Sequence, residues 1–243
     1  MPSFARRLDT PEMMDDFSIV DDRLLQALDE LRWVNRLLGG YAATMHVLKP
    51  YLKARRGRPV HLLDLGTGVA DYPEVIVRWA DRQGLDVQVT AIDANPATVE
   101  HARRTLARRL PPRLARRIRV LVADALALPF GEDNFDVAMA AMFMHHLDDE
   151  GAVRLLREMR RVAREGLLVN DLHRHGVAYY GILVPARLLP VSPMFRHDAP
   201  VSVRRGFRRE ELETIARAAG LPRARIARRP AFRWVLTTVR ESP

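Results

Sequence analysis

The chain contains no cysteine. Disulfides, thiolate zinc sites and thiol nucleophiles are excluded with it. Lysine occurs only at Lys49 and Lys53, so nearly all of the 39 cationic side chains are arginine. No apolar run approaches the roughly 20 residues that span a bilayer, so no membrane span is expected. Met1 to Arg7 lead into acidic positions rather than an apolar core. No signal peptide is therefore expected, and the cytoplasm is the expected compartment by elimination. Aromatic residues are scarce at 7%, and none is interleaved with the arginine pairs Arg103-Arg104, Arg108-Arg109 and Arg116-Arg117. A net charge of +9 without stacking rings reads as codon bias spread over helix surfaces rather than as a nucleic-acid partner.

With 243 residues, 48% of them hydrophobic and 28% charged, the chain can build one sizeable core. Asp21 to Leu38 has helical period and stops at Gly39-Gly40, and Tyr41 to Tyr51 reads as a second helix. From Val60 short apolar runs alternate with amphipathic helices. Strands are expected at Val60–Leu63, Val87–Ile92, Ile118–Val122, Phe135–Met142 and Leu167–Asp171. Helices are expected at Tyr72–Gln83, Pro96–Arg109, Asp149–Ala163, Val177–Leu189 and Arg208–Ala219. Pro190 to Gly206, rich in breakers, reads as a loop or lid. Arg223–Arg228 and Phe232–Val239 read as a final antiparallel pair. The fold class is α/β, with a mainly parallel sheet and helices on both faces.

The most informative segment is Leu62-Leu63-Asp64-Leu65-Gly66-Thr67-Gly68-Val69-Ala70-Asp71. It reads as a buried strand, an acid at its end and a Gly-x-Gly turn before a helix. Glycine lets the backbone take positive φ and approach a ligand without a Cβ in between. Such a turn at the carboxyl end of a first parallel strand is where open α/β folds bind nucleosides. Two more acids end later strands. Asp93 is placed to accept from both hydroxyls of a ribose, and Asp124 from an exocyclic amine such as that of adenine. Each could singly be a helix cap; three in register are harder to account for that way.

In these residues the chain resembles the class I S-adenosylmethionine (SAM)-dependent methyltransferases of the ubiquinone/menaquinone-methyltransferase-like group. Asp64-Leu65-Gly66-Thr67-Gly68 matches the first motif, Ile92-Asp93-Ala94 the ribose acid and Ala123-Asp124-Ala125 the adenine acid. Phe130 to Val137, followed by His145-His146-Leu147, resembles the fourth-strand segment. The resemblance implies a Rossmann-like seven-stranded sheet with its last strand antiparallel. It implies SAM as cofactor and S-adenosylhomocysteine (SAH) as product. The cofactor would be held by Asp64, Gly66, Thr67, Gly68, Asp71, Asp93, Ala94, Asp124, Ala125, Ala141 and Arg36. A third glycine, frequent in the group, is absent, and the turn runs Val69-Ala70-Asp71. A carboxylate there repels a dinucleotide's pyrophosphate but can accept from the ammonium of SAM.

The resemblance also implies His145 as a base oriented by Asp171, with His146 second; an unreactive, packed histidine is the alternative. Asp171, His173 and His175 alternate in a pattern that suits metal ligands, but methyl transfer needs none and no metal is expected. Met142, Tyr179, Tyr180, Met194 and His197 are expected to line an apolar, ring-containing acceptor. The expected organisation is an N-terminal helical cap over 1–58 and a SAM-binding domain over 59–243, with a lid at about 177–206. The expected activity is O-methylation of a phenolic or quinone-like hydroxyl on a small molecule in secondary or lipid metabolism. C-methylation of an electron-rich ring, an RNA methyltransferase and a non-catalytic SAM-binding protein are the alternatives.

Overall fold

From Val60 onward strand and helix alternate as the periodicity predicts. The computed structural model describes residues 3–16, 18–19 and 21–240. Two helices come first, α1 (Asp22–Leu37) and α2 (Gly40–Lys53). Then follow β1 (Val60–Leu65), α3 (Asp71–Arg82), β2 (Val87–Asp93), α4 (Pro96–Arg109), the single turn α5 (Pro112–Ala115) and β3 (Ile118–Val122). The second half contains β4 (Phe135–Ala141), α6 (Asp149–Val162), β5 (Ala163–Leu172), α7 (Gly176–Leu188), α8 (Pro193–Arg205), α9 (Arg209–Ala218), β6 (Arg225–Arg229) and β7 (Arg233–Thr237).

The strands form one seven-stranded sheet in the order β3-β2-β1-β4-β5-β7-β6. β7 inserts antiparallel between β5 and β6, and the pairings among β1 to β5 are parallel. The sheet is therefore Rossmann-like with its last strand reversed. The central strand β4 is buried at every position, which explains its unbroken apolar run apart from Asp136. The order reverses between β1 and β4, and a crevice at such a switch point is where ligands sit in open α/β sheets.

Local chemistry starts the helices. Asn95 accepts from the N–H groups of Ala97 and Thr98, with Pro96 at the first helical position. Asp148 caps α6 through Gly151 N–H, and the buried side of α6 carries Leu155, Leu156, Met159 and Val162.

One expectation fails. Pro190 to Gly206 is not a loop, because α8 occupies most of it. Ser192 accepts from Phe195 N–H as N-cap, and Pro193 takes the first helical position, where its missing N–H is no loss. Pro200 does interrupt the ladder, but Met194, Phe195, Ala199 and Val203 are all buried. That packing against α1 and α7 outweighs one missing backbone bond. The helix propensity of the segment is poor; its tertiary burial decides.

Candidate active site

The Gly-x-Gly turn leaves β1 with three residues in the left-handed region: Gly66 at φ 64°, Gly68 at 54° and Ala70 at 56°. Ala70 adopts that conformation without glycine's freedom, at the position where the sequence lacks a third glycine. Phe143 lies across the turn, and a Cβ on Gly66 would sit 2.3 Å from its ring. Gly68 is open by comparison, its nearest neighbour being Leu28 at 3.8 Å. Gly68 N–H donates to Asp93 at 3.0 Å, tying the turn to the end of β2. Asp93 also accepts from Asn95 N–H, and burial holds its carboxyl above the usual range.

The three strand-end acids stand in unlike surroundings. Asp124 is exposed beyond β3 and accepts from Leu126 N–H. Asp64 is 2% exposed and accepts from the Thr67 hydroxyl at 2.6 Å. Burial, with Asp71 and Asp93 nearby, pushes its carboxyl up to about 8. Ala94 is exposed, whereas Ala125 and Ala141 are buried in the core.

Asp71, expected to meet an ammonium, lies in a buried polar network. It accepts from Tyr41 Oη at 2.8 Å, Asn35 Nδ2 at 3.3 Å and its neighbour Tyr72 N–H at 3.0 Å. Arg233, from the start of β7, joins this network by donating to Asn35 Oδ1 and Leu38 O. It is 1% exposed and also donates to the Met142 sulfur. Tyr72 Oη and Asn170 Oδ1 are buried nearby without a hydrogen-bond partner. Gly40 sits against both Tyr72 and Asn35, and Asn170 Nδ2 donates to its carbonyl. Unsatisfied polar atoms beside a glycine turn and a buried guanidinium suit the amino-acid end of SAM, which brings both a carboxylate and an ammonium. Arg36 is exposed, and the buried arginine of this network is Arg233.

His145 and Asp171 meet as their positions past β4 and near the end of β5 suggest. His145 Nδ1 is 2.7 Å from Asp171 Oδ1, and His145 N–H donates to Oδ2 at 3.1 Å. Burial opposes the charge on Asp171, but His145 beside it holds the carboxyl below the usual range. The other ring nitrogen of His145 faces Glu12 Oε1 at 3.5 Å. Glu12 is 3% exposed; its second oxygen accepts from Ser202, and Oε1 has no hydrogen-bond partner.

His146 takes a different state. Its Nδ1 lies 2.6 Å from Asp15 Oδ1. Burial works against its charge, but Glu12 and Asp15 outweigh that and push it up to about 9. Protonated at neutrality, His146 has no lone pair with which to act as the second base. Arg205 closes the cluster, donating to His145 O, Thr10 O and Asp15 Oδ2.

Glu12, His145 and His146 are the one group among the described residues whose ligand atoms are spaced for a metal ion. Arg205 and the protonated His146 face both Glu12 and the neighbouring Asp15 carboxylate. Asp171 faces His145 rather than His173 and His175, whose rings lie 5.4 Å apart.

The expected acceptor-lining residues are dispersed. Met194 is buried against Leu24, Ala27, Leu28 and Val69, so it is core rather than lining. Tyr180 is 43% exposed. Tyr179 meets Phe4 and Tyr180 edge-on. His197 is an exposed side chain paired with Asp198. Only Met142 stays at the site, its sulfur turned to Arg233.

Sequence reasoning missed Glu12, Asp15, Arg205 and Arg233. Nothing in their local pattern marks them, since each reaches the site from an element distant in sequence. An acid pair in an irregular N-terminal segment and an arginine among 39 cations carry no periodic signal.

Residues 62–166 match the methyltransferase domain family. A demethylmenaquinone methyltransferase of Roseiflexus sp. is 35% identical over 171 residues, covering 65% of this chain and 66% of that one. An O-methyltransferase of Penicillium expansum, cnsE, is 29% identical over 163 residues, or 66% of this chain and 51% of that one. The aligned part thus spans two thirds or less of these curated relatives. In fold, the chain is similar to magnesium protoporphyrin IX methyltransferase of Synechocystis, solved with bound SAH. The TM-score is 0.58 at 17% identity, covering 92% of this chain and 98% of that one.

Proposed function

We propose that the chain is a class I SAM-dependent methyltransferase acting on a small molecule, and that it O-methylates a phenolic or quinone-like hydroxyl. The observation that carries this reading is the buried His145–Asp171 pair beside the glycine turn. SAM, when bound, supplies an electrophilic methyl on its sulfonium. The chain's own residues position and deprotonate the acceptor.

Asp171 accepts from Nδ1–H of His145 and so fixes the tautomer in which Nε2 carries the lone pair. Nε2 takes the hydroxyl proton as the acceptor oxygen forms its bond to carbon. Bound SAM would supply that methyl carbon and keep the S–CH3 bonding pair on sulfur as SAH. Glu12 then faces the imidazolium and stabilises its charge. Asp93 would accept from the ribose and Asp124 from the adenine, and Arg233 and the unpartnered Tyr72 Oη would hold the amino-acid end.

C-methylation also proceeds through a phenolate, and the relatives' names include both a demethylmenaquinone methyltransferase and an O-methyltransferase. The test is product analysis. Methyl-labelled SAM is incubated with a panel of hydroxyquinones and phenols, and the methylated atom is assigned by NMR. A methyl ether supports the reading; a ring-carbon methyl overturns it in favour of C-methylation; no transfer to any phenol overturns the substrate class.

A further inference from the structure

We propose that the outer face of α7, with the end of α1, docks on an anionic lipid bilayer. Nine large apolar side chains are exposed among the described residues, and eight of them belong to these two segments. On α7 they are Val177, Tyr180, Val184 and Leu188, followed directly by Leu189. The intervals of three and four residues put the first four on one helix face. On α1 they are Trp33 and Leu37, with Leu38 as its C-cap.

The two sets adjoin. Trp33 and Leu37 share the α1 face of Glu30 at helical spacing. Glu30 accepts from Ser192 N–H at 2.8 Å and Ser192 Oγ at 2.6 Å, just after Leu188 and Leu189. The opposite side of α7 is also apolar, with Ala186 buried against Leu24, Ala27 and Leu28 of α1. A helix apolar all round belongs in an interior, yet α7 leaves about 20 Å of one side uncovered. So large an exposed apolar strip marks a surface that meets a partner.

Charge selects the partner. No Asp or Glu occurs from 172 to 197 or from 31 to 63. Glu30, the nearest acid on α1, is held by Ser192. Arg36, Arg187 and Arg196 are exposed. An apolar strip with cations at its edge, whose nearest acids Asp29 and Glu30 are engaged by Arg109 and Ser192, matches an acidic headgroup layer over acyl chains. A second copy of the chain would set these arginines against each other with no opposite charge at the face. α1 also covers the glycine turn, where Leu28 approaches Gly68. An apolar acceptor would then enter from the bilayer beside the site; that corollary rests on the function proposed above, whereas the docking does not.

The test is cosedimentation of the full chain, without acceptor, with equimolar phosphatidylglycerol–phosphatidylcholine vesicles and with phosphatidylcholine vesicles. Binding to the anionic vesicles that weakens with salt is expected. Val184→Glu with Leu188→Glu should reduce it by about tenfold or more, with SAH affinity unchanged as evidence of folding. Arg187→Gln with Arg196→Gln keeps the apolar strip and should flatten the salt dependence. The proposal is overturned if the wild-type chain ignores anionic vesicles or if both double variants bind as it does. It is also overturned if sedimentation velocity finds a stable dimer that V184E/L188E dissolves. Methyl transfer to a water-soluble phenol, measured separately, tells a failure of this proposal from a failure of the functional one.

Discussion

His145 Nδ1 lies 2.7 Å from Asp171 Oδ1, with both side chains no more than 2% exposed. A pair this buried holds together because each member satisfies the other, and removing one leaves the partner uncompensated. Asp171→Asn keeps the shape but removes the charge that orients the imidazole. Methyl transfer should fall by about a hundredfold or more. The melting temperature should fall with it, and SAH affinity should change little. Steady-state kinetics, thermal melts and calorimetry check the three together; unchanged turnover would show that Asp171 only packs.

His146 gives stability a pH dependence whose sign is set by its surroundings. Its folded pKa, about 9, lies above the unfolded value of 6.5 because Glu12 and Asp15 outweigh the cost of burial. The stabilisation is therefore complete below about 6.5 and is lost as pH rises through 9, a change of about 3 kcal/mol. Chemical denaturation at a series of pH values should reveal that decline, and His146→Gln should reduce it by about that amount.

Asp64 shows the same sign for the opposite reason. Burial raises its carboxyl to about 8, so folding binds a proton that the unfolded chain releases above 3.8. Stability from this group is present at low pH and drains away as pH climbs towards 8. Asp64→Asn, which can still accept from Thr67, should raise the melting temperature of the ligand-free protein at pH 8 and leave it nearly unchanged at pH 4. A lower melting temperature at pH 8 would mean that Asp64 is ionised and paired.

Gly66→Ala should be the most damaging change in the glycine turn. The new Cβ meets both a left-handed backbone and the Phe143 ring at 2.3 Å. A loss of about 1–3 kcal/mol is expected, together with weaker SAH binding. Gly57→Ala is the control, since Gly57 also has positive φ, at 90°, but nothing lies within 4 Å. It should cost about 1 kcal/mol and leave SAH affinity intact.

The alternation of strands and helices was legible because parallel strands buried on both faces leave unbroken apolar runs. The turn and the positions of Asp93 and Asp124 were legible because they lie at or just past strand ends. α8 was not, because prolines argue for a loop locally while burial of Met194 and Phe195 decides globally. The His145–Asp171 pair could be placed by strand order. Glu12, Asp15 and Arg233 could not, since their roles arise only when the N-terminal segment and β7 are folded over the sheet's carboxyl end.

The most direct test compares wild-type and His145→Gln turnover on a phenolic acceptor with saturating SAM, with SAH affinity measured on the same samples. The account predicts unchanged SAH affinity and a loss of about a hundredfold or more in turnover. Full turnover by the glutamine variant would contradict it, and the buried histidine would then be a packing residue.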